Sequence, residues 1–244
     1  MGLDNQQAIR SFWGGFFDAE GWESESVCKG KHRSPILGLT NTRVEIIEKF
    51  VSFLKNAGIH VSITRRKRKK HHKIQYQLTI SGRRQVERMR RLLYSVKLGS
   101  GDMNEFWLLG FLDGGGNVGI YQNNDYSRKR RRKKSLKLKP TISFFSTDER
   151  IRDRAIFFLR KNRLPFHVSS TSKGRKKRKW KIQILGLKRC RYFLDHFLEK
   201  DFGYKRRHLE ILNAFINSRL TRPKKSPYSE EELFLVERLK SLND

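Results

Sequence analysis

Four runs of basic residues recur along the chain, and clustered Lys and Arg side chains are suited to binding phosphate groups. A single run of this kind is usually a solvated loop or a disordered tail. Here the runs belong to a wider imbalance, because the 244 residues include 55 Lys+Arg against 24 Asp+Glu, a net charge of +31. Such a balance points to nucleic acid or an anionic membrane as the partner. The runs are KGKHR at 29–33, RRKRKK at 65–70, RKRRRKK at 128–134 and RKKRK at 175–179.

Nucleic acid is favoured over membrane. No apolar run approaches the roughly 18 residues of a membrane span, and the first ten residues lack the basic-then-apolar order of a signal peptide. A basic amphipathic helix would favour a membrane surface, but the basic runs are predicted to lie in hairpins. We therefore expect a soluble intracellular protein, with an organelle, an archaeal cytoplasm and a bacterial cytoplasm left open. Cys28 and Cys190 are too few for a disulfide framework, and no Cys/His cluster has zinc-ligand spacing.

A glycine-rich apolar phrase with two acids, FWGGFFDAEGWES, stands at Phe12–Ser24. Nearly the same phrase, FWLLGFLDGGGNVGI, returns at Phe106–Ile120 with one acid missing. A simple interpretation makes Asp18 and Glu20 polar residues at a helix terminus, but it explains neither the glycines nor the recurrence. Three residues of the first phrase recur at a constant offset of 95, namely Gly15, Asp18 and Gly21 as Gly110, Asp113 and Gly116.

Two further matches show that the repeat extends beyond this phrase. Segments 42–64 and 147–171 both begin with a Thr suited to an N-cap, carry apolar residues at helical spacing and end in a His-Val-Ser strand start. YQLTISG at 76–82 matches WKIQILG at 180–186, and the first alternates apolar and polar residues as a half-buried strand does. Three matches in the same order indicate a tandem duplication with an insertion in the second copy.

Each copy is predicted to fold as helix, two strands, helix, two strands, helix. In the first copy the predicted helices are 6–18, 43–57 and 83–96, and the strands are 22–28, 36–41, 60–66 and 73–81. In the second copy the predicted helices are 103–113, 148–161 and 187–198, and the strands are 117–122, 137–146, 166–172 and 179–185.

This pattern predicts an α+β fold of tandem, pseudo-symmetric αββαββα repeats with two four-stranded antiparallel sheets. The predicted domains are residues 1–98, residues 99–202 and a helical extension at 203–244. The extension should contain two helices, and Ser229 and Glu232 have the spacing of a capping box at the start of the second.

The predicted hairpins each carry one basic run between their strands, so the runs would rim the two sheets on one side. Basic residues at a rim suit phosphates, and amides or hydroxyls between them suit base edges. RNA is an alternative, but Tyr76 and Trp180 share the phase of apolar neighbours and are expected to face the core rather than to stack on bases. Two-stranded ribbons also fit the major groove of B-form DNA. The predicted DNA-binding residues are Lys29, Lys31, Arg33, Arg65, Arg66, Arg68, Gln75, Gln77, Thr79, Arg128, Arg130, Arg132, Arg175, Lys177, Lys179, Lys181 and Gln183.

Small residues leave one face of each phrase helix almost without side chains. Gly14 and Gly15 form this face in the first helix, and Gly110 lies at the matching place in the second. Two such helices can approach backbone to backbone. If they pack in this way, Glu20 lies just past the end of the first helix, near a pseudo-two-fold axis, with position 115 as its partner.

The phrases resemble the nine-residue motif of the LAGLIDADG homing endonucleases in their monomeric, two-repeat form. WGGFFDAEG at Trp13–Gly21 aligns with the first copy of the motif, and LLGFLDGGG at Leu108–Gly116 aligns with the second. The resemblance covers residues from about 5 to 202. It implies a monomeric saddle that binds a double-stranded DNA target of roughly 20 base pairs, each sheet lying in the major groove.

The resemblance also implies a catalytic site. In this family the acid at the eighth motif position binds a divalent metal, usually Mg²⁺, which activates water for phosphodiester hydrolysis. Glu20 is then the first metal ligand, and the backbone carbonyls of Ala19 and Gly114 are its helpers. A basic residue after the third helix of each repeat usually lines the site, which points to Lys97 and Lys200.

Gly115 departs from the family pattern, because it stands where the family has Asp or Glu and supplies no carboxylate. Three explanations are open: an endonuclease scaffold with disabled cleavage, an enzyme that nicks one strand with Glu20 alone, and a relative that binds without cutting, as intron maturases do. We favour an intron-encoded endonuclease scaffold whose cleavage is impaired or reduced to nicking by Gly115. The alternatives outside the enzymes are a DNA-binding regulator and an RNA-binding protein of a ribonucleoprotein.

Overall fold

The chain folds into two compact units, Met1–Gly115 (unit 1) and Gly116–Asp244 (unit 2). These units differ from the predicted domains because the second phrase helix belongs to unit 1, and the repeat boundaries in the sequence stay a prediction. The computed structural model describes residues 5–28, 32–67, 73–99, 103–124, 136–171, 178–200, 203–223 and 226–243.

Unit 1 contains one antiparallel sheet of four strands with the order β1-β2-β4-β3. Strand alternation gives this sheet an apolar face, on which Leu37, Leu39, Leu78 and Ile80 are buried. The helices are α1 (Asn5–Glu20), α2 (Val44–Asn56), α3 (Arg83–Leu92) and α4 (Glu105–Gly115), and the strands are β1 (Gly21–Cys28), β2 (His32–Asn41), β3 (Ser62–Arg66) and β4 (Gln75–Ser81).

Unit 2 repeats this arrangement with the strand order β5-β6-β8-β7. Ile142, Phe144, Ile182 and Ile184 form the buried face of its sheet. The prediction of two four-stranded antiparallel sheets in an α+β fold is confirmed. The strands are β5 (Asn117–Asn124), β6 (Leu136–Ser146), β7 (His167–Thr171) and β8 (Lys179–Leu185), and the helices are α5 (Glu149–Lys161), α6 (Leu187–Phe197), a 3-10 turn (Leu198–Lys200), α7 (Arg206–Leu220) and α8 (Glu230–Ser241).

The two C-terminal helices pack on the sheet of unit 2. The Asn243 side-chain amide donates to the Val118 carbonyl at 3.2 Å, and the Tyr228 hydroxyl accepts from the Leu138 backbone N–H at 2.9 Å. The extension thereby covers strand β5, which is an edge strand, and covering is one way in which proteins protect such edges. The predicted capping box that starts α8 at Ser229 is confirmed.

Two helix ends differ from the prediction. Helix α1 continues to Glu20, so this residue is the last of the helix rather than just past its end. Ala19 and Glu20 are both good helix formers, and strand β1 begins at the next residue. Helix α3 ends at Leu92 rather than Val96 because residues beyond it are bonded to the end of α1.

The predicted N-caps were wrong by one residue. Helix α2 is preceded by Arg43 rather than Thr42, and Arg43 makes no side-chain cap. Helix α5 is capped by Asp148 rather than Thr147, since the Asp148 carboxylate accepts from the Arg150 backbone N–H at 2.9 Å. A carboxylate is also well placed at the positive end of the helix dipole.

Candidate functional site

Helices α1 and α4 pack backbone against backbone in unit 1. A Cβ atom built on Gly15 would lie 1.9 Å from the Trp107 carbonyl oxygen, and one built on Gly110 would lie 1.9 Å from the Phe12 carbonyl oxygen. No side chain fits into such a space. The predicted close approach at these two glycines is confirmed, whereas Gly14 meets the backbone of Tyr94.

The C-terminal ends of these helices lie side by side. A Cβ atom on Gly114 would be 2.6 Å from the Cβ of Ala19 and 3.3 Å from the Cγ of Glu20. Glu20 therefore lies beside the last turn of α4, which ends at Gly115. Glu20 and Gly115 are both partly exposed, so a ligand has access to this end of the helix pair.

Asp18, two residues before Glu20, is buried, and its hydrogen bonds stabilise the fold of unit 1. Its carboxylate accepts from the Ser95 hydroxyl at 2.6 Å, from the Val96 and Lys97 backbone N–H groups at 2.7 and 2.9 Å, and from the Trp107 indole N–H at 2.8 Å. Burial raises the pKa of Asp18 above its usual 3.8, and these hydrogen bonds counteract part of that rise. Each oxygen accepts two of these bonds, which leaves Glu20 as the acid of this motif with access to a ligand.

Lys97 is held at the same end of α1 as Glu20. Its backbone N–H is bound by Asp18, and its ammonium group donates to the Gly21 carbonyl at 2.5 Å. The side chain of Lys97, the first predicted basic residue, is thus bonded to the residue that follows the predicted metal ligand Glu20 in the sequence. Lys200 lies in unit 2, at the end of the 3-10 turn, and its predicted role stays a prediction.

The side chains at this end suit one divalent cation better than two. Among the described residues no group of three or more His, Cys, Asp or Glu side chains is placed to hold a metal ion. Mg²⁺ is often bound through one or two carboxylates together with substrate phosphates, and retains several waters. Glu20 fits that pattern, whereas Gly115 adds no second acid.

The polar face of the unit 1 sheet carries mostly neutral side chains and one arginine. Gln75, Gln77 and Thr79 lie on this face, and Arg66 joins them because it pairs directly with Gln75. Arg65 pairs with Tyr76 and so belongs to the opposite face. The predicted DNA-binding residues of β3 are therefore divided between the two faces of the sheet.

Arg33 also lies on the apolar side of the unit 1 sheet by register. It is four residues from Leu37 on the same strand, and residues separated by an even number share a face. Its guanidinium group lies 3.4 Å from the Glu25 carboxylate, and both side chains are exposed. The remaining predicted residues on the basic runs lie outside the described part of the chain, namely Lys29, Lys31, Arg68, Arg128, Arg130, Arg132, Arg175 and Lys177.

The polar face of the unit 2 sheet is richer in positive charge. Lys179, Lys181 and Gln183 lie on it as predicted by the alternation of β8, and the Gln183 amide donates to the Ser143 hydroxyl at 3.3 Å. Trp180 lies on the other face, beneath the Arg152 guanidinium of α5 at 4.0 Å from the ring centroid. This confirms that Trp180 is directed away from the polar face.

Sequence reasoning missed four residues of this face. Tyr121 and Phe145 supply aromatic rings there, and Lys137 and Lys139 supply two further ammonium groups. Tyr121 is 45 % exposed. The alternation in LKLKP, at 136–140, was a usable signal for the lysines, but the mostly buried run that follows it conceals the phase of Phe145.

Comparison with known protein families gives a match over the first repeat. The model of the LAGLIDADG-like domain matches residues 7–94. The resemblance predicted from the two motifs is thereby confirmed, and a comparison with curated proteins gave no match.

Solved structures of homing endonucleases share the fold of the whole chain. I-LtrWI bound to target DNA has a TM-score of 0.68 at 13% identity, over 97% of this chain and 98% of its own. I-SmaMI bound to an uncleaved DNA target with calcium ions has a TM-score of 0.64 at 14% identity, and 98% of each chain is covered. The meganuclease I-AabMI bound to uncleaved DNA has a TM-score of 0.64 at 13% identity, also over 98% of each chain. None of the described helices is long and apolar enough to cross a membrane.

Proposed function

We propose that this protein is a sequence-specific, double-stranded DNA-binding homing endonuclease whose cleavage is impaired or reduced to nicking by Gly115. The observation that carries the proposal is the position of Glu20 beside the last turn of α4, where the equivalent acid of the second motif is replaced by glycine. The LAGLIDADG-like domain supports the nuclease class. Relatives of the same fold bound to DNA support the substrate.

Glu20 would hold the cation, which we propose to be Mg²⁺, with the carbonyls of Ala19 and Gly114. When bound, such a cation activates water and stabilises the leaving oxygen of a phosphodiester. Lys97 keeps a positive charge at this end of α1 through its bond to Gly21. We propose Lys200 for the corresponding place in the second repeat, on sequence grounds alone.

DNA would be bound as a duplex target of roughly 20 base pairs by a monomer, with the polar face of each sheet in the major groove. The amides of Gln75 and Gln77 and the ammonium groups of Lys179 and Lys181 suit base edges. The basic hairpins suit phosphates. Of the predicted arginines in β3, Arg66 rather than Arg65 shares a face with the glutamines.

Cleavage of a supercoiled plasmid carrying a selected target site tests the proposal, because a nick gives open circles and a double-strand break gives linear DNA. In Mg²⁺ we expect the unaltered chain to give at most open circles and Gly115→Glu to give linear DNA. Gly115→Gln, which has the same size without the charge, should behave as the unaltered chain. Glu20→Gln should abolish the remaining nicking. If the unaltered chain makes linear DNA, the proposed role of Gly115 is wrong.

A relative that binds without cutting, such as an intron maturase, is the second candidate. Tyr121 and Phe145 on the polar face favour it, because RNA-binding sheets commonly stack bases on exposed aromatic rings. Competition between structured RNA and the duplex target separates the two functions. Tighter binding to RNA, together with no cleavage by either the unaltered chain or Gly115→Glu, would replace the first proposal.

A further inference from the structure

The polar faces of the two sheets differ in chemistry at equivalent positions. The match of YQLTISG with WKIQILG places Gln75 and Gln77 of β4 at the positions of Lys179 and Lys181 of β8. In the register, Gln77 pairs with Thr40 of the neighbouring strand β2, and Lys181 pairs with Phe145 of the neighbouring strand β6. Neutral amides in one sheet thus stand where the other carries ammonium groups.

The Phe145 ring lies beside two lysines of unit 2 on this face. The Lys179 ammonium lies 4.6 Å from the centroid of the Phe145 ring, and the Lys181 ammonium lies 5.7 Å from it. Cations within about 6 Å of a ring centroid are attracted by its π electrons. This attraction narrows the conformations of two long side chains. At the equivalent place in unit 1, Thr40 offers no such ring.

These side chains differ in what they can read in a major groove. An ammonium group only donates hydrogen bonds, and guanine presents two adjacent acceptors, N7 and O6. A glutamine amide both donates and accepts, and adenine presents one acceptor and one donor in the same place. Lysine and glutamine at equivalent positions therefore favour different purines.

We infer that the two sheets read half-sites of different composition, with guanine at the base pairs facing Lys179 and Lys181 and adenine at the equivalent base pairs facing Gln75 and Gln77. This inference rests on the proposed function, because it takes duplex DNA as the ligand of both faces. The target is then asymmetric at equivalent positions of its two halves.

Selection of binding sites from a pool of randomised duplexes tests the inference with exchange variants. For the unaltered chain we expect guanine to be enriched in one half-site and adenine at the mirrored positions of the other. Lys181→Gln should change the preferred base from guanine to adenine at one position, and Gln77→Lys should do the reverse in the other half. A bidentate contact of this kind discriminates by about tenfold or more.

Lys188→Gln is the matched control, because it removes the same charge from an exposed position on helix α6. It should leave the selected sequence unchanged. A selected site without the guanine and adenine difference, or one that Lys181→Gln does not alter, overturns this inference and leaves the proposed function intact. If the chain selects no duplex sequence at all, the proposed function itself fails, and this inference fails with it.

Discussion

Asp18 and Glu20 show how two acids of one motif come to have separate roles. Residues two apart on a helix are about 200° around its axis and do not face each other. Asp18 is therefore directed into unit 1, where four donors surround its carboxylate, while Glu20 remains partly exposed beside the last turn of α4. The buried acid holds residues 95–97 in place, including Lys97, and the exposed acid is the one suited to a ligand.

Asp18→Asn should lower the free energy of unfolding by about 2 kcal/mol. All four partners of Asp18 donate hydrogen bonds, and an asparagine amide nitrogen cannot accept one. Urea unfolding followed by circular dichroism measures the change. Asp195→Asn is the control, since this exposed acid pairs only at the surface with Arg191 and should change stability by less than about 0.5 kcal/mol. Equal effects of the two substitutions would contradict the structural role of Asp18.

At the scale of helices and strands, periodicity in the sequence predicted the type and order of every α-helix and strand of the two repeats. Strand β8 begins and ends at the predicted residues, because its alternation is regular and a glycine follows it. The end of α3 was not predictable, because Leu92 is followed by residues whose N–H groups are bonded to Asp18, 78 and 79 residues away in the sequence. The pattern of neighbouring residues carries no information on a contact between residues so far apart in the sequence.

The candidate site was predictable to the same extent. The repeated phrase was enough to predict the two glycines at the helix contact and the acid beside it. Glycines that recur on matching helix faces indicate that two helices pack closely there. Phe145 was missed because β6 is buried over Pro140–Phe144, so polar alternation does not mark its faces there. Only the pairing with Lys181 reveals on which face the ring lies.

Gly15→Ala should destabilise the protein by about 3 kcal/mol. The added methyl group would lie 1.9 Å from the Trp107 carbonyl oxygen, and backbone of a helix cannot move aside as a flexible side chain can. Gly110→Ala should have a similar effect against Phe12. Thermal and urea unfolding measure both. Gly119→Ala is the control, since its methyl group would meet only the Asn117 amide at an ordinary 3.6 Å. An equally large loss of stability from Gly119→Ala would argue against a tight α1–α4 contact.

Asp148→Ala should lower the free energy of unfolding by about 1 kcal/mol, because Asp148 is the N-cap of α5. Thr147→Ala should lower it by less than about 0.5 kcal/mol. The hydrogen bond from the Arg150 side chain lowers the pKa of Asp148 below 3.8. Its contribution is therefore present above about pH 4 and is lost as the pH falls through the folded-state pKa. Unfolding of both variants and the parent between pH 7 and pH 3 should show the Asp148 effect shrinking at the acid end. A larger loss of stability from Thr147→Ala than from Asp148→Ala would show that Thr147 caps the helix.

At the scale of the whole molecule, duplication has been followed by divergence of the two copies. The second motif lacks the acid at position 115, the second sheet has lysines where the first has glutamines, and α7 and α8 cover an edge strand of unit 2. The lysines and the two C-terminal helices give unit 2 features that unit 1 does not have. We therefore propose that both the cation ligands and the base contacts of this chain are asymmetric.

The net charge of +31 predicts that the proposed binding to DNA depends strongly on salt. If about ten phosphates are contacted, the logarithm of the association constant should fall against the logarithm of salt concentration with a slope of about −9. Between 50 and 200 mM KCl the affinity should then fall by about 10⁵-fold, as measured by fluorescence anisotropy on the selected duplex. Base contacts displace few counterions, so Lys181→Gln should weaken binding to the selected site while changing this slope by less than about 1. A flat salt response would contradict phosphate binding by the basic runs, and with it the assignment of duplex DNA to the two polar faces.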